Sequence, residues 1–248
     1  MIRPADRSDL LRLSCTDPFY TRILSVFESY GDVPFADCWV QDIDREIVAA
    51  VSRFEDKFSL YLTGSSDIEE VAAFLRFQGA RCVMLNNEYC VDIHAEKEIS
   101  GDVLVYRSEE YYSELELYQP EIRELYSLLQ SCEGETFRVP DYPVFLSDVT
   151  HRLNLGKCMI LATDIDGRLA SSVMTVSETP NAAIIGAVAT HPDFRKRGLS
   201  RELVRTLASR ISAQGRAVYV FSASGANTRF YQNSGFEIAA KFREILLI

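Results

Sequence analysis

The sequence has no continuous run of about 18 apolar residues, the length that a membrane-spanning helix needs, so we expect no membrane association. Its six cysteines include no Cys-x-x-Cys pair, which argues against a zinc site or a disulfide framework. We therefore expect reduced thiols and no bound metal. The first seven residues, MIRPADR, are charged and lack the apolar segment of a signal peptide, which predicts a cytoplasmic location.

The residues that are present are those of an ordinary globular protein. Of 248 residues, 47% are hydrophobic and 25% are charged. The net charge is −10, yet residues 191–216 carry seven arginines and lysines against two acidic residues. A compact basic segment in an acidic chain indicates a local anionic ligand, and no nucleic-acid partner, because nucleic acid needs a broader basic surface. A solvated helix face of alternating charge would produce the same pattern.

Two parts of the chain resemble each other, as expected after a duplication. Residues 42–51 (DIDREIVAAV) align with residues 164–173 (DIDGRLASSV), and four of the ten positions are identical. Farther along, Gln78-Gly79 precedes an apolar run, and Gln214-Gly215 does the same in the second copy. We therefore expect two related domains, at residues 1–100 and 101–248.

The two copies differ in length just where the basic segment lies. Gln78 follows Val51 by 27 positions, whereas Gln214 follows Val173 by 41, so the second copy has 14 additional residues. We expect these residues around the basic segment. The first copy has Thr63-Gly64-Ser65-Ser66-Asp67 there, which is typical of a helix N-cap that serves only its own helix.

Hydrophobic periodicity predicts an α/β protein. The connection between the two domains is expected at residues 87–101, which are polar and acidic. Helices are predicted near 10–14, 20–30, 67–78, 120–132, 141–154, 198–213 and 226–234. Strands are predicted near 2–3, 36–41, 47–54, 57–62, 81–86, 103–106, 158–164, 169–177, 182–190, 217–222 and 236–248.

One strand-to-helix connection has the features of an anion site. Residues 182–190 form an apolar run typical of a buried strand, which Pro192 ends. Residues 194–200 (FRKRGLS) follow and lead into an amphipathic helix. Unpaired N–H groups and the helix dipole favour an anion at such a helix start, and Gly198 would allow its close approach. Neither a Walker A loop nor a Gly-x-Gly-x-x-Gly dinucleotide fingerprint is present, and a simple loop remains the alternative.

These motifs together resemble the GCN5-related N-acetyltransferase (GNAT) superfamily. Residues 195–200 (RKRGLS) are similar to its acyl-CoA pyrophosphate loop, Gln/Arg-x-x-Gly-x-Gly/Ala, and residues 227–236 (NTRFYQNSGF) to its following Asn…Tyr-x-x-x-Gly-Phe segment. The opening Ile2-Arg3-Pro4-Ala5 looks like a GNAT first strand. The motif resemblance covers about residues 158–240 and is topological elsewhere. It implies a mixed, mostly antiparallel sheet flanked by helices, and a degenerate GNAT-like copy at residues 1–100.

The resemblance also implies roles for particular residues. Tyr231 would be the general acid that protonates the leaving CoA thiolate, for which a phenol with a pKa near that of a thiol is suited. Acetyl-CoA would be the cosubstrate. Its pyrophosphate would be held by the amides of Arg197, Gly198, Leu199 and Ser200, with charge from Arg195 and Lys196. Its pantetheine arm would contact Val188, Ala189, Thr190, Asn227 and Phe230.

The sequence departs from the family pattern at Ser200, and it leaves the general base unassigned. Ser200 stands where the family has Gly or Ala, and because it is small we expect binding to survive. No carboxylate lies in residues 182–190, so no general base is assigned. Glu178, Asp164 and His151 are candidates, each with an alternative as a surface residue, and a water relay would serve as well. Tyr231 itself has an alternative as a core tyrosine.

The function that this resemblance implies is transfer of an acetyl group to a primary amine of a small molecule or peptide. The acceptor, as free base, would attack the thioester directly. Two alternatives stay open: a non-catalytic acyl-CoA-binding or sensor protein, and a protein-interaction module. Binding of acetyl-CoA would distinguish a protein-interaction module from the other two classes. Turnover would then distinguish an acetyltransferase from a non-catalytic acyl-CoA-binding or sensor protein.

Overall fold

The structure is a computed structural model that describes residues 1–13, 15–31, 33–134 and 137–247. The chain divides into two compact units. The N-terminal unit comprises Met1–Val103, Phe221–Ala223 and Ile238–Ile248, and the C-terminal unit comprises Leu104–Val220 and Ser224–Glu237.

Among its described residues, the N-terminal unit contains three helices and six strands, including most of the last strand of the chain, together with the first seven residues of a strand that it shares with the C-terminal unit. The helices are α1 (Arg7–Leu13), α2 (Pro18–Tyr30) and α3 (Ile68–Phe77). The strands are β1 (Ile2–Pro4), β2 (Ala36–Ile43), β3 (Glu46–Phe54), β4 (Lys57–Leu62), β5 (Cys82–Asn86) and, from Ile238 onward, β11 (Phe236–Leu246). Their order is β1-β2-β3-β4-β5-β11, and β4 with β5 is the parallel pair among the antiparallel ones.

The C-terminal unit repeats this arrangement. Its strands are β7 (Ile160–Ile165), β8 (Arg168–Glu178), β9 (Ala182–Thr190) and β10 (Ala217–Ser222), together with the end of β6 (Lys97–Tyr106). Their order is β6-β10-β9-β8-β7, with β9 and β10 parallel and the hairpins β7–β8 and β8–β9 antiparallel. The helices are α4 (Ile122–Gln130), α5 (Tyr142–Asn154), α6 (Leu199–Ser212) and α7 (Gly225–Gln232).

The two hairpins that aligned in sequence also share their irregularities. The β2–β3 pairing shifts register between Gln41 and Asp42, and the β7–β8 pairing shifts between Thr163 and Asp164, at the aligned position. Both turns have two residues with positive φ, as a type I′ hairpin turn requires. A shared bulge and a shared turn at aligned positions support a duplication, because bulges are kept within families.

The predicted elements agree with the structure except at one place. Residues 97–101 were expected to be part of the connection between domains, but β6 begins at Lys97. That prediction is wrong, because these polar residues show no alternation and are held as a strand by the sheet to which they pair. The predictions at Ser14 and Ile248 lie outside the described residues. Among the described residues, no helix is long and apolar enough to cross a membrane.

Each unit has its own hydrophobic core on both faces of its strands. In the C-terminal unit, α6 packs on one face through Leu203, Val204 and Leu207, against Val173 and Ile185 of the sheet. The other face carries α4 and α5, whose core side chains include Leu125, Leu129 and Val149. The apolar face predicted for α6 is therefore buried as expected, and the start of this helix is held at the end of β9.

The β2–β3 turn provides a direct test of the repeat. Arg45 adopts φ of 68°, where the second copy has Gly167 at 71°. Because a non-glycine residue is strained in this region, we expect Arg45→Gly to raise the free energy of unfolding by about 0.5–1 kcal/mol. Urea unfolding measures this change. The reverse substitution, Gly167→Arg, should destabilise by a similar amount, and a stabilising effect of that control would contradict the explanation.

Candidate active site

Strand β9 leaves its parallel partner before it ends. Pairing with β10 runs from Ala182 opposite Ala217 to Ile185 opposite Val220, although β9 continues to Thr190. A bulge follows, because the register with β8 shifts where Ala187 has φ of 46°. The polar backbone groups of Val188, Ala189 and Thr190 therefore lie beyond the β10 pairing. An extended ligand could therefore lie alongside this end of β9 without displacing β10.

The loop that follows β9 is anchored by a buried aromatic ring. Residues Pro192–Phe194 form one turn of 3-10 helix, and Phe194 is buried against Ala170 and Leu199. The guanidinium groups of Arg168 and Arg197 lie 5.1 and 5.4 Å from the centroid of the Phe194 ring. Such contacts favour cations over an aromatic face, so the ring helps to fix the backbone from which Arg197 projects.

The start of α6 has no side chain that caps it. Gly198 is the N-cap residue in a left-handed conformation (φ 81°), and Lys196 just before it is also left-handed (φ 64°). The N–H groups of Arg201 and Glu202 donate to Gly198 O at 3.0 and 3.2 Å. Within the described part of the chain, the N–H groups of Leu199 and Ser200 donate to no acceptor. Free donors and a helix dipole favour an anion at such a position, as predicted for this loop.

A cavity of about 470 Å³ opens at this helix start. Four of its lining residues are exposed cations, and Phe230 of α7 supplies part of the apolar wall. Arg195 Nε also donates to Thr190 O at 3.2 Å, which ties the loop back to the strand. The lining residues are Thr190, Phe194, Arg195, Lys196, Arg197, Gly198, Leu199, Ser200, Arg201 and Phe230. The donor set is suited to the phosphates of acetyl-CoA, since guanidinium groups and backbone amides are strong phosphate ligands.

The remaining predicted residues lie outside the wall of this cavity. Asn227 is exposed on the first turn of α7, where its N–H donates to Ser224 Oγ at 3.2 Å. Tyr231 is only 9% exposed and packs in the hydrophobic core with Phe230 and Phe236, at centroid distances of 5.1 and 5.8 Å. Burial raises the pKa of Tyr231 to about 12. Its hydroxyl therefore stays protonated at neutral pH, as a proton donor must.

The three candidate bases have different surroundings. Glu178 is buried, so its alternative as a surface residue is wrong. Its carboxylate accepts from Arg216 Nη2 at 2.8 Å and from Thr175 Oγ1 at 2.6 Å, and this pairing compensates for the burial. Asp164 is exposed near the end of β7, where it accepts from Gly167 N at 3.1 Å. His151 is exposed on α5.

Sequence reasoning missed three residues near the site. Arg201 adds a fourth cation to the cavity, and Cys132 Sγ lies 3.3 Å from Thr190 O. Ser171 on β8 is fully buried and forms hydrogen bonds at the end of β9. A signal for Ser171 was present, because the aligned residues 49–50 of the first copy are Ala-Ala where the second copy has Ser-Ser.

The corresponding helix start in the N-terminal unit is closed by its own acids. Asp67 caps α3 by accepting from Glu70 N at 3.0 Å, which confirms the predicted cap. Glu70 accepts from Ile2 N and Gln41 Nε2. A cavity of about 310 Å³ near the ends of β4 and β5 is lined by Asp17 and Glu88 but by no described arginine or lysine. These carboxylates would repel a phosphate.

The chain is similar to known proteins in part of its sequence and in its fold. Residues 166–244 match the family model described as FR47-like protein. A GNAT-family acetyltransferase from Colwellia psychrerythraea is similar over all of both chains, at a TM-score of 0.61 and 13% identity. A GNAT-family structure from Novosphingobium aromaticivorans (TM-score 0.58, 17% identity) matches 93% of this chain and 98% of its own. A tandem GNAT protein from the clavulanic acid biosynthesis pathway (0.59, 13%) matches 99% and 98%. The curated protein sequences yielded no match.

These comparisons define the fold of the chain. The chain has the GNAT fold, a mixed and mostly antiparallel α/β architecture flanked by helices. Residues 166–244 resemble the FR47-like family, and the predicted GNAT-like fold is confirmed.

Proposed function

We propose that this protein is an acetyl-CoA-dependent N-acetyltransferase that acts on a primary amine of a small molecule or peptide. The observation that supports this most is the uncapped start of α6. Gly198, the free N–H groups of Leu199 and Ser200, and four cations meet there around one cavity. Three of the cations, Arg195, Lys196 and Arg197, lie within the motif that resembles the pyrophosphate loop.

The proposed reaction needs few groups from the protein. Acetyl-CoA supplies the acetyl group as a thioester. The acceptor nitrogen, as free base, attacks the carbonyl carbon, the bond from this carbon to sulfur breaks, and the nitrogen loses a proton to water. Tyr231 donates a hydrogen bond from its hydroxyl to the departing sulfur, and the CoA thiolate takes up from water the proton that the nitrogen lost. Because its pKa of about 12 exceeds that of an ordinary thiol, Tyr231 acts chiefly by hydrogen bonding to the developing charge.

Two measurements on the intact protein test this proposal. Acetyl-CoA should raise the melting temperature, and release of free thiol should accelerate when a suitable amine from a panel is added. Binding without turnover on any amine would favour the alternative of an acyl-CoA-binding or sensor protein. The absence of Tyr231 from the residues that line the cavity also supports this alternative. Absence of binding would overturn the proposal and favour a protein-interaction module.

We expect one acyl-CoA site per chain, in the C-terminal unit. In the N-terminal unit the start of α3 is capped by Asp67, and the cavity beside β4 and β5 is acidic. Isothermal titration calorimetry with acetyl-CoA should therefore give a stoichiometry near one. A value near two would show that the N-terminal unit binds as well, despite its acidic side chains.

A further inference from the structure

Three hydroxyl groups of the C-terminal unit form a continuous chain from the sheet to the first turn of α6. Ser171 Oγ on β8 donates to Ala189 O at 2.8 Å. Ser171 Oγ and Thr190 Oγ1 are 2.8 Å apart, and Thr190 Oγ1 is hydrogen-bonded to Ser200 Oγ. These hydrogen bonds therefore connect β8, the end of β9 and the start of α6, and two of the three residues, Thr190 and Ser200, line the cavity.

The direction of each hydrogen bond follows from counting hydrogens, because a hydroxyl has only one to donate. A carbonyl can only accept, so the hydrogen of Ser171 goes to Ala189 O. Thr190 must then donate to Ser171, and Ser200 must donate to Thr190. With its hydrogen committed, Ser200 offers only lone pairs to a ligand. An anion in the cavity is thus held by N–H groups and cationic side chains.

This series of hydrogen-bonded hydroxyl groups connects the two ends of the loop at the proposed anion site. Thr190 is the last residue of β9 and Ser200 is the second residue of α6, and between them Lys196 and Gly198 both have positive φ. A left-handed non-glycine residue is costly and persists only where its surroundings hold it in place. The bond between Thr190 and Ser200 holds the two ends of the loop together, and Ser171 fixes the Thr190 hydroxyl that makes this bond.

The duplication provides an internal comparison. The first copy, which lacks the basic loop, has Ala49 and Ala50 where the second has Ser171 and Ser172. Both serines are fully buried, but Ser172 Oγ has no hydrogen-bond partner among the described residues. Of two adjacent buried serines, only Ser171 is connected to the loop.

We propose that Ser171 is a positioning residue, which sets the affinity for acyl-CoA by holding the anion-binding loop through Thr190 and Ser200. The identity of the ligand in this inference rests on the proposed function, whereas the hydrogen bonds between Ser171, Thr190 and Ser200 do not. Since Ser171 is buried behind Thr190 and does not line the cavity, its effect is expected on binding and not on the chemical step.

The substitutions Ser171→Ala and Ser172→Ala form a matched pair. Loss of one net hydrogen bond predicts that Ser171→Ala raises KM for acetyl-CoA about two- to tenfold at unchanged kcat. Ser172→Ala should leave both constants at their wild-type values. At the next position in the chain of hydroxyls, Thr190→Val should raise KM more than Thr190→Ser, which keeps the hydroxyl.

Amide hydrogen exchange of the unliganded protein tests the same inference without acetyl-CoA. Ser171→Ala should speed exchange in the segment 195–200, and Ser172→Ala should not. Equal exchange in wild type and Ser171→Ala, or equal effects of the two substitutions on exchange, would overturn the positioning role. If the wild type does not bind acetyl-CoA, the proposed function fails and this exchange comparison decides the role of Ser171 by itself.

Discussion

Gly198→Asp is expected to abolish acetyl-CoA binding. The side chain would place a carboxylate at the uncapped start of α6, where the pyrophosphate is proposed to lie, and could itself accept from the free N–H groups. At a ligand concentration of 100 times Kd, wild-type protein should gain about 2.7 kcal/mol of stability, and the variant should gain none. Thermal unfolding with and without acetyl-CoA measures this difference.

Two control variants separate charge from backbone strain. Gly198 has φ of 81°, so any side chain there is strained, but nothing lies within 4 Å of an added Cβ. Gly198→Ala shares the strain without the charge and should keep part of the binding. Gly215, with φ of 76° and equal free space, lies in the turn after α6. Gly215→Asp should keep the full stabilisation by acetyl-CoA. Full stabilisation of Gly198→Asp as well would show that the assignment of the pyrophosphate site to residues 195–200 is wrong.

Tyr231→Phe is expected to lower kcat by about 10²–10⁴-fold, the usual range for general acid–base assistance. The change removes only the hydroxyl, so packing against Phe236 should persist and KM for acetyl-CoA should hardly change. Steady-state kinetics with thiol detection measures both constants. Because burial raises the pKa of Tyr231 to about 12, ionisation of this group should not reduce kcat as pH rises past the ordinary tyrosine value of 10.

Tyr106 provides the control for this substitution. It is also buried, and its ring contacts the same Phe236 at 5.2 Å, while its hydroxyl donates to Glu109 O at 3.1 Å. Tyr106→Phe removes a hydroxyl from the same cluster and should lower stability but not kcat. Equal turnover in wild type and Tyr231→Phe would leave Tyr231 as a core tyrosine, the alternative that its burial favours.

The features that the sequence predicted correctly are those that depend on neighbouring residues. Asp67 caps α3 and Gly198 starts α6 because a cap or a left-handed turn is determined by a few consecutive residues. The alternating and helical patterns located the elements for the same reason. The repeat at residues 42–51 and 164–173 then indicated two related units. The anion site that the basic loop indicated stays a prediction.

The remaining features were decided by tertiary structure, because they join residues that are distant along the chain. Glu178 is paired with Arg216, 38 positions away, so a candidate base became a buried ion pair. Ser171 meets Thr190 19 positions later, and no local pattern specifies that contact. The burial that raises the pKa of Tyr231 comes from a core assembled from several strands and helices. Local propensity acts over one or two turns, whereas burial and hydrogen-bond partners depend on which segments the sheet brings together.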